Sequence, residues 1–146
     1  MPKERFKIVP ASYLVLIKNN KILLLRRCNT GYEDGKYSFI AGHLDGNETF
    51  KQAMTREAEE EAGIIINPDH LEIIHVMHRK VPNEERIDMF LTIDKWQGEP
   101  KNIETNKCDD LSWFNLNNLP ENIIPYIKQA INNIQNKIIY SEFGFN

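Results

Sequence analysis

The chain has 146 residues, 41% of them hydrophobic and 27% charged, with a formal net charge of −3. This is one domain's worth of sequence with material for a real core, so a single domain over residues 1–146 is expected. The slight acidity offers no electrostatic footprint for DNA or RNA, and no apolar run approaches the length of a membrane span, so neither a nucleic-acid nor a membrane partner is expected.

The two cysteines, Cys28 and Cys108, have neither metal nor redox spacing, which fits free thiols and a cytoplasmic location. The opening Met1-Pro2-Lys3-Glu4-Arg5 leads into no apolar run of the kind a secretion signal carries.

In chain order, residues 11–17 are apolar and β-rich, and Lys18-Asn19-Asn20-Lys21 reads as a turn. Residues 22–25 continue as a strand, so the two predict a hairpin. A polar, glycine-containing loop over 28–36 follows, then a short strand over 37–41 that delivers Gly42. Residues 49–62 contain no Pro or Gly and are rich in good helix formers. Gly63 is the expected C-terminal cap and Asn47 the expected N-cap, with Glu48 in the first turn. Residues 64–66 lead to a break at Asn67-Pro68-Asp69. Residues 71–78 and 86–96 read as paired strands about a turn at 81–85, and Gln97-Gly98-Glu99-Pro100 ends the second. A last strand is expected over 111–116. A C-terminal helix over 120–136 buries Ile123, Ile124, Ile127, Ala130, Ile131 and Ile134.

The first helix has an anomaly. At about 100° per residue, Phe50, Ala53, Met54, Ala58 and Ala62 form one apolar band. Glu57 and Glu61 fall inside that band, Glu60 sits at its edge, and Glu59 points away. An ordinary surface helix puts its acids on the solvated face. Inward carboxylates are costly unless something neutralises them, and three within one arc repel one another. A bound hard cation, Mg²⁺ with Mn²⁺ as a substitute, removes both penalties.

These residues resemble a known signature. Gly42, five residues, Glu48, seven residues, Arg56-Glu57-Ala58, any residue, Glu60-Glu61, any residue, and Gly63-Ile64 match the Nudix box, with Ala58 a small choice at an aliphatic position. A pattern of this length is far more specific than a lone glycine motif. The resemblance implies an α/β fold, a Nudix-type α/β/α sandwich with a mixed β-sheet between helices. It implies a Mg²⁺-dependent pyrophosphohydrolase that cleaves the diphosphate link of a nucleoside diphosphate derivative. By the same resemblance Glu57, Glu60 and Glu61 are metal ligands and Gly42 lets the loop approach the metal. Arg56 holds the glutamates, and Glu48 is an auxiliary ligand. Glu60, Glu61 and Arg56 form the catalytic set.

The general base stays open. Relatives often carry a glutamate about five residues before a Trp-Phe strand, where this chain has Cys108. Asp109, Asp110 or Glu104 could serve instead, and Glu61 is the rival. Arg26 and Arg27, at a strand end, are candidate phosphate ligands that the sequence does not separate. Tyr32, Tyr37 and Phe39 are candidates for stacking on a base, and His43 lies in the box loop. His75 and His78 have i, i+3 spacing on a strand, so they face opposite sides and read as ordinary. Asp88 could face substrate or solvent.

A MutT-like size favours a nucleoside triphosphate, including oxidised or non-standard ones. ADP-ribose-type substrates, an RNA 5′ end and a non-catalytic nucleotide-binding module are the alternatives. Relatives acting on ADP-ribose often carry an N-terminal extension and a proline fifteen or sixteen residues after the box; here Pro82 comes slightly later. Either a monomer or a homodimer is compatible with the sequence.

Overall fold

The computed structural model describes residues 3–146; the Met1-Pro2 part of the N-terminal reading lies outside the described residues. The first strand, β1 (Val9–Val15), enters a five-stranded sheet, and the chain then crosses at Leu16 into a second, four-stranded sheet. β2 (Ile17–Lys18) and β3 (Lys21–Arg27) form a tight hairpin about Asn19 and Asn20, both at positive φ. The expected long hairpin is therefore corrected. Only its tip pairs this way, because β1 is engaged on both edges, by residues 40–43 on one side and 86–92 on the other.

β4 (Tyr37–Ser38) pairs with β3, and β5 (Ile40–His43) returns antiparallel to β1. Helix α1 (Phe50–Ala62) follows, then a 3-10 turn over Pro68–His70. β6 (Glu72–Val81) and β7 (Glu84–Thr92) form the long hairpin, turning at Asn83. β8 (Cys108–Asn115) pairs antiparallel with β3. Helix α2 (Pro125–Gln135) is shorter than expected, since Ile123 is already tied to Tyr37 in an isolated bridge and Pro125 opens the helix. β9 (Tyr140–Phe143), which the sequence reading did not anticipate, adds parallel to β6.

The larger sheet runs β5-β1-β7-β6-β9 and mixes parallel and antiparallel pairs. Strand alternation sends Leu14, Leu16 and Leu91 to one side, where they pack on Met54, Ala58 and Ala62 of α1. Tyr13, Val15, Met77 and Phe90 face the other side and pack on Tyr126, Ile127, Ala130 and Ile131 of α2. The sandwich thus has two apolar layers, each fully buried aliphatic side chain contributing about 1.5–3 kcal/mol. Among the described residues no helix is long and apolar enough to cross a membrane.

Candidate active site

Helix α1 is set by its ends. Thr49, not the expected Asn47, is the N-cap: its hydroxyl accepts from the Gln52 N–H at 3.1 Å, and the Gln52 side-chain Oε1 accepts from the Thr49 N–H at 2.9 Å. Asn47 sits at φ +57 beside Gly46 at φ +91, so the chain is still turning there. Gly63 closes the helix in the left-handed region, φ +67. Strand β5 carries Ala41 and Gly42 directly against the helix. A Cβ on Gly42 would fall inside the Glu57 carboxylate, so only glycine allows this approach.

Arg56 is the hub of the acidic cluster. It donates from Nη1 to Glu57 Oε1 at 2.7 Å and from Nη2 to Glu48 Oε1 at 2.8 Å. It also reaches Asp45 Oδ2 at 3.3 Å, Glu60 Oε2 at 3.5 Å and the His43 carbonyl at 3.3 Å. The Glu48 bond, more than any other contact, raises the proton affinity of this guanidinium. Glu48 also accepts from the Asp45 N–H, which fixes the loop.

Glu57 has 13% of its side chain exposed, and burial raises its pKa despite the arginine. Glu61 accepts from the Ala41 N–H at 3.0 Å. Burial, with the Glu57 charge second, pushes its pKa up to about 8. Glu104 raises both carboxyls further, which places a fourth acid beside the helix cluster.

A cavity of about 740 Å³ opens between the two sheets. Gly42, Glu61 and Glu104 line one part of it, and Tyr13, Arg79 and Tyr126 another. The chemistry of the acids fits a hard divalent cation: they are carboxylates only, two are largely withdrawn from water, and burial, with the Glu57 charge second, lets one hold its proton near neutrality. Among the described residues no three His, Cys, Asp or Glu side chains form a closed metal-ligating group. Glu57 is turned to Arg56, and Glu60 lies 54% exposed at the helix edge, so joint coordination requires these two side chains to swing toward Glu61.

The remaining candidates separate clearly. Arg27 lines the cavity, its Nε donating to the Tyr32 carbonyl and its guanidinium over the Tyr32 ring. Arg26, one residue away, faces the other side and donates from Nε to Asp109 Oδ1 at 2.7 Å. Asp109 is exposed in that pair. Asp110 accepts from Tyr37 and from Ser112, the latter at 2.6 Å. Neither aspartate nor Arg26 lines the cavity, because the β3–β8 register pairs Arg26 with Asp110 on the far face. Of the acids in this segment, only Glu104 lines it.

Tyr32 lines the mouth, Tyr37 packs on Phe114, and Phe39 is core against Phe90. His43 lines the cavity beside Arg86, where burial and that cation lower its pKa. His75 is buried, bonded to the Ile138 carbonyl and Ser141, and His78 pairs with Glu85 on the opposite face.

Arg79 escaped the sequence reading, and Asp88 was not assigned there to the interior. The usable signal was phase: Arg79 follows buried His75 and Met77 at i+2 spacing, and Asp88 precedes buried Phe90 on the partner strand.

Comparisons with known proteins bear on the family and on the fold. The family described as NUDIX domain matches residues 8–134. An 8-oxo-dGTP diphosphatase of Escherichia coli (strain K12) is 29% identical over 76% of this chain and 84% of its own length. An ADP-ribose pyrophosphatase of Methanocaldococcus jannaschii is 30% identical over 83% of this chain and 71% of its own. Among solved structures, a MutT NUDIX hydrolase from Burkholderia pseudomallei superposes with a TM-score of 0.79 at 23% identity, covering 86% of this chain and 97% of that one, a likeness of fold.

Proposed function

This chain belongs to the Nudix hydrolase family, and from that premise we propose that it cleaves a free nucleoside triphosphate to a monophosphate and pyrophosphate, with Mg²⁺ as cofactor. The observation that carries the reading is the buried Glu61 carboxyl beside Gly42 at one end of a nucleotide-sized cavity, with Glu57 packed behind Gly42. The relatives named for 8-oxo-dGTP in Escherichia coli and for oxidised purine nucleoside triphosphates in Danio rerio support the substrate class, the second at 27% identity over 73% of this chain and 67% of its own length.

Glu57, Glu60 and Glu61, with the Gly42 carbonyl, would hold the cation. When bound, that cation neutralises the diphosphate and lowers the pKa of a coordinated water. Arg56 orients Glu57 by a charge-assisted hydrogen bond and attracts Glu60 through a 3.5 Å ion pair. Arg27 and Lys107, on the cavity wall, meet the charged phosphates. Glu104 takes the proton of the attacking water, since Asp109 and Asp110 are committed outside the cavity. Attack on one phosphorus breaks its bridging P–O bond, and pyrophosphate leaves.

The test is a product screen over standard and oxidised nucleoside triphosphates, ADP-ribose and a 5′-triphosphorylated oligonucleotide, with and without Mg²⁺. Mg²⁺-dependent pyrophosphate release from the triphosphates is expected. Turnover restricted to ADP-ribose or to the oligonucleotide would overturn the substrate assignment.

A further inference from the structure

Arg79 is 2% exposed and is the largest fully buried side chain among the described residues. Its charge is matched by Asp88, itself 0% exposed, through Nε to Oδ2 at 2.6 Å and Nη2 to Oδ1 at 3.3 Å. Nη2 also donates to the Tyr13 hydroxyl at 3.3 Å, and the guanidinium lies 3.8 Å from the Tyr126 ring centroid. A buried ion pair of this kind is weak support for stability, because desolvating both charges costs about what their attraction returns. The pair therefore invites a functional reason.

One edge of the guanidinium is unspent. Among the described residues Nη1 finds no hydrogen-bond partner, yet it is not among the sealed, unpartnered buried atoms. Arg79 lines the cavity, so this edge is open to it. The edge carries N–H donors only. Asp88 already neutralises the charge, and Arg86, opposite Arg79 on the partner strand and lining the same cavity, is itself paired with Glu84 at 3.0 Å, so a further phosphate here would meet carboxylates that already hold both guanidiniums. The neighbouring cavity walls, Tyr13, Tyr126 and Ala11, suit a flat aromatic ring rather than a tetrahedral anion.

We propose that Arg79 is a specificity-determining residue whose Nη1 edge donates to the carbonyl oxygen of a 6-keto purine and disfavours a 6-amino purine. The inference rests on the reading above only for the end of the cavity that takes the phosphates. An exocyclic amino group at that edge would set donor against donor and leave the guanidinium unpartnered. Asp88 is the positioning residue: it fixes the plane of Arg79 through the two-point contact and so aims Nη1.

The test uses equilibrium binding, which does not require turnover. Inosine monophosphate, AMP and ribose 5-phosphate are titrated by calorimetry into the wild-type chain and two variants. One is Arg79→Lys. The other is the double variant Arg79→Met with Asp88→Leu, which removes both charges and leaves no orphaned ion. Wild type is expected to prefer inosine monophosphate over AMP by about tenfold, the scale of one hydrogen bond to a charged donor. In both variants that ratio falls toward one, with the loss falling on inosine monophosphate.

A wild-type ratio near one, or a ratio that survives both substitutions, overturns the proposal. Equal weakening of all three ligands, ribose 5-phosphate included, assigns Arg79 to phosphate and also overturns it. Failure of the triphosphate screen alongside an intact inosine preference would instead fault the reaction assignment and leave Arg79 standing.

Discussion

Replacing Glu61 with Gln should make the metal-free protein more stable at alkaline pH. In the fold the Glu61 carboxyl is pushed up to about 8 from an ordinary 4.5, first by burial and then by the Glu57 charge. Between those values the folded state holds a proton that the unfolded state has released. Stability therefore falls as pH rises through this window, and the deficit is complete only above pH 8. A shift of that size corresponds to roughly 5 kcal/mol as an upper bound, and the acid's partial contact with water reduces the expected deficit to about 2–3 kcal/mol.

Gln keeps the acceptor for the Ala41 N–H and carries no charge. In EDTA, urea denaturation at pH 5 should find the two proteins within about 0.5 kcal/mol of each other. At pH 8.5 the variant should lead by about 2–3 kcal/mol, or a melting-temperature gain of about 4–12 °C. Saturating Mg²⁺ should erase the lead, because the cation stabilises the ionised wild-type acid. Parallel pH profiles for the two proteins in EDTA would refute the assignment of Glu61 as a strained, desolvated carboxyl.

Gly42→Ala forces a methyl group into the space of the Glu57 carboxylate. Displacement of that acid by about 1 Å should cost about a hundredfold in kcat, with the circular dichroism spectrum retained. Arg56→Lys keeps the charge but loses the fork that joins Glu48 to Glu57, so kcat/KM should fall at least tenfold and the melting temperature should drop by several degrees. Thr49→Ala removes the capping box and should cost about 1 kcal/mol by urea denaturation, with kcat changed less than about threefold.

The helix and its inward acids were legible because the information is local. Periodicity alone put Glu57 and Glu61 beside Ala53, Ala58 and Ala62, and Gly63 marked the end. The start was misread, although Thr49 and Gln52 carry the spacing of a capping box, because Asn47 is also a strong capping residue and its positive φ is a property of the loop. What depends on strand register was harder to read. Arg26 and Arg27 are equivalent in sequence, and only the β3–β8 pairing sends one to Asp109 and the other into the cavity. Strand β9 exists because β6, far upstream, offers Val76 as a partner to Tyr140. The buried Arg79–Asp88 pair likewise joins two strands whose inward phases must both be known.

In the proposed reading Glu57, Glu60 and Glu61 bind the divalent cation on which nucleotide hydrolysis depends. The most direct test of that reading is a Mg²⁺ titration of pyrophosphate release from 8-oxo-dGTP for wild type, Glu60→Gln and Glu61→Gln. No turnover is expected in EDTA, with saturable activation by Mg²⁺ in wild type and loss of at least about two orders of magnitude in each variant. Turnover that persists in EDTA, or that survives both substitutions, would contradict the reading.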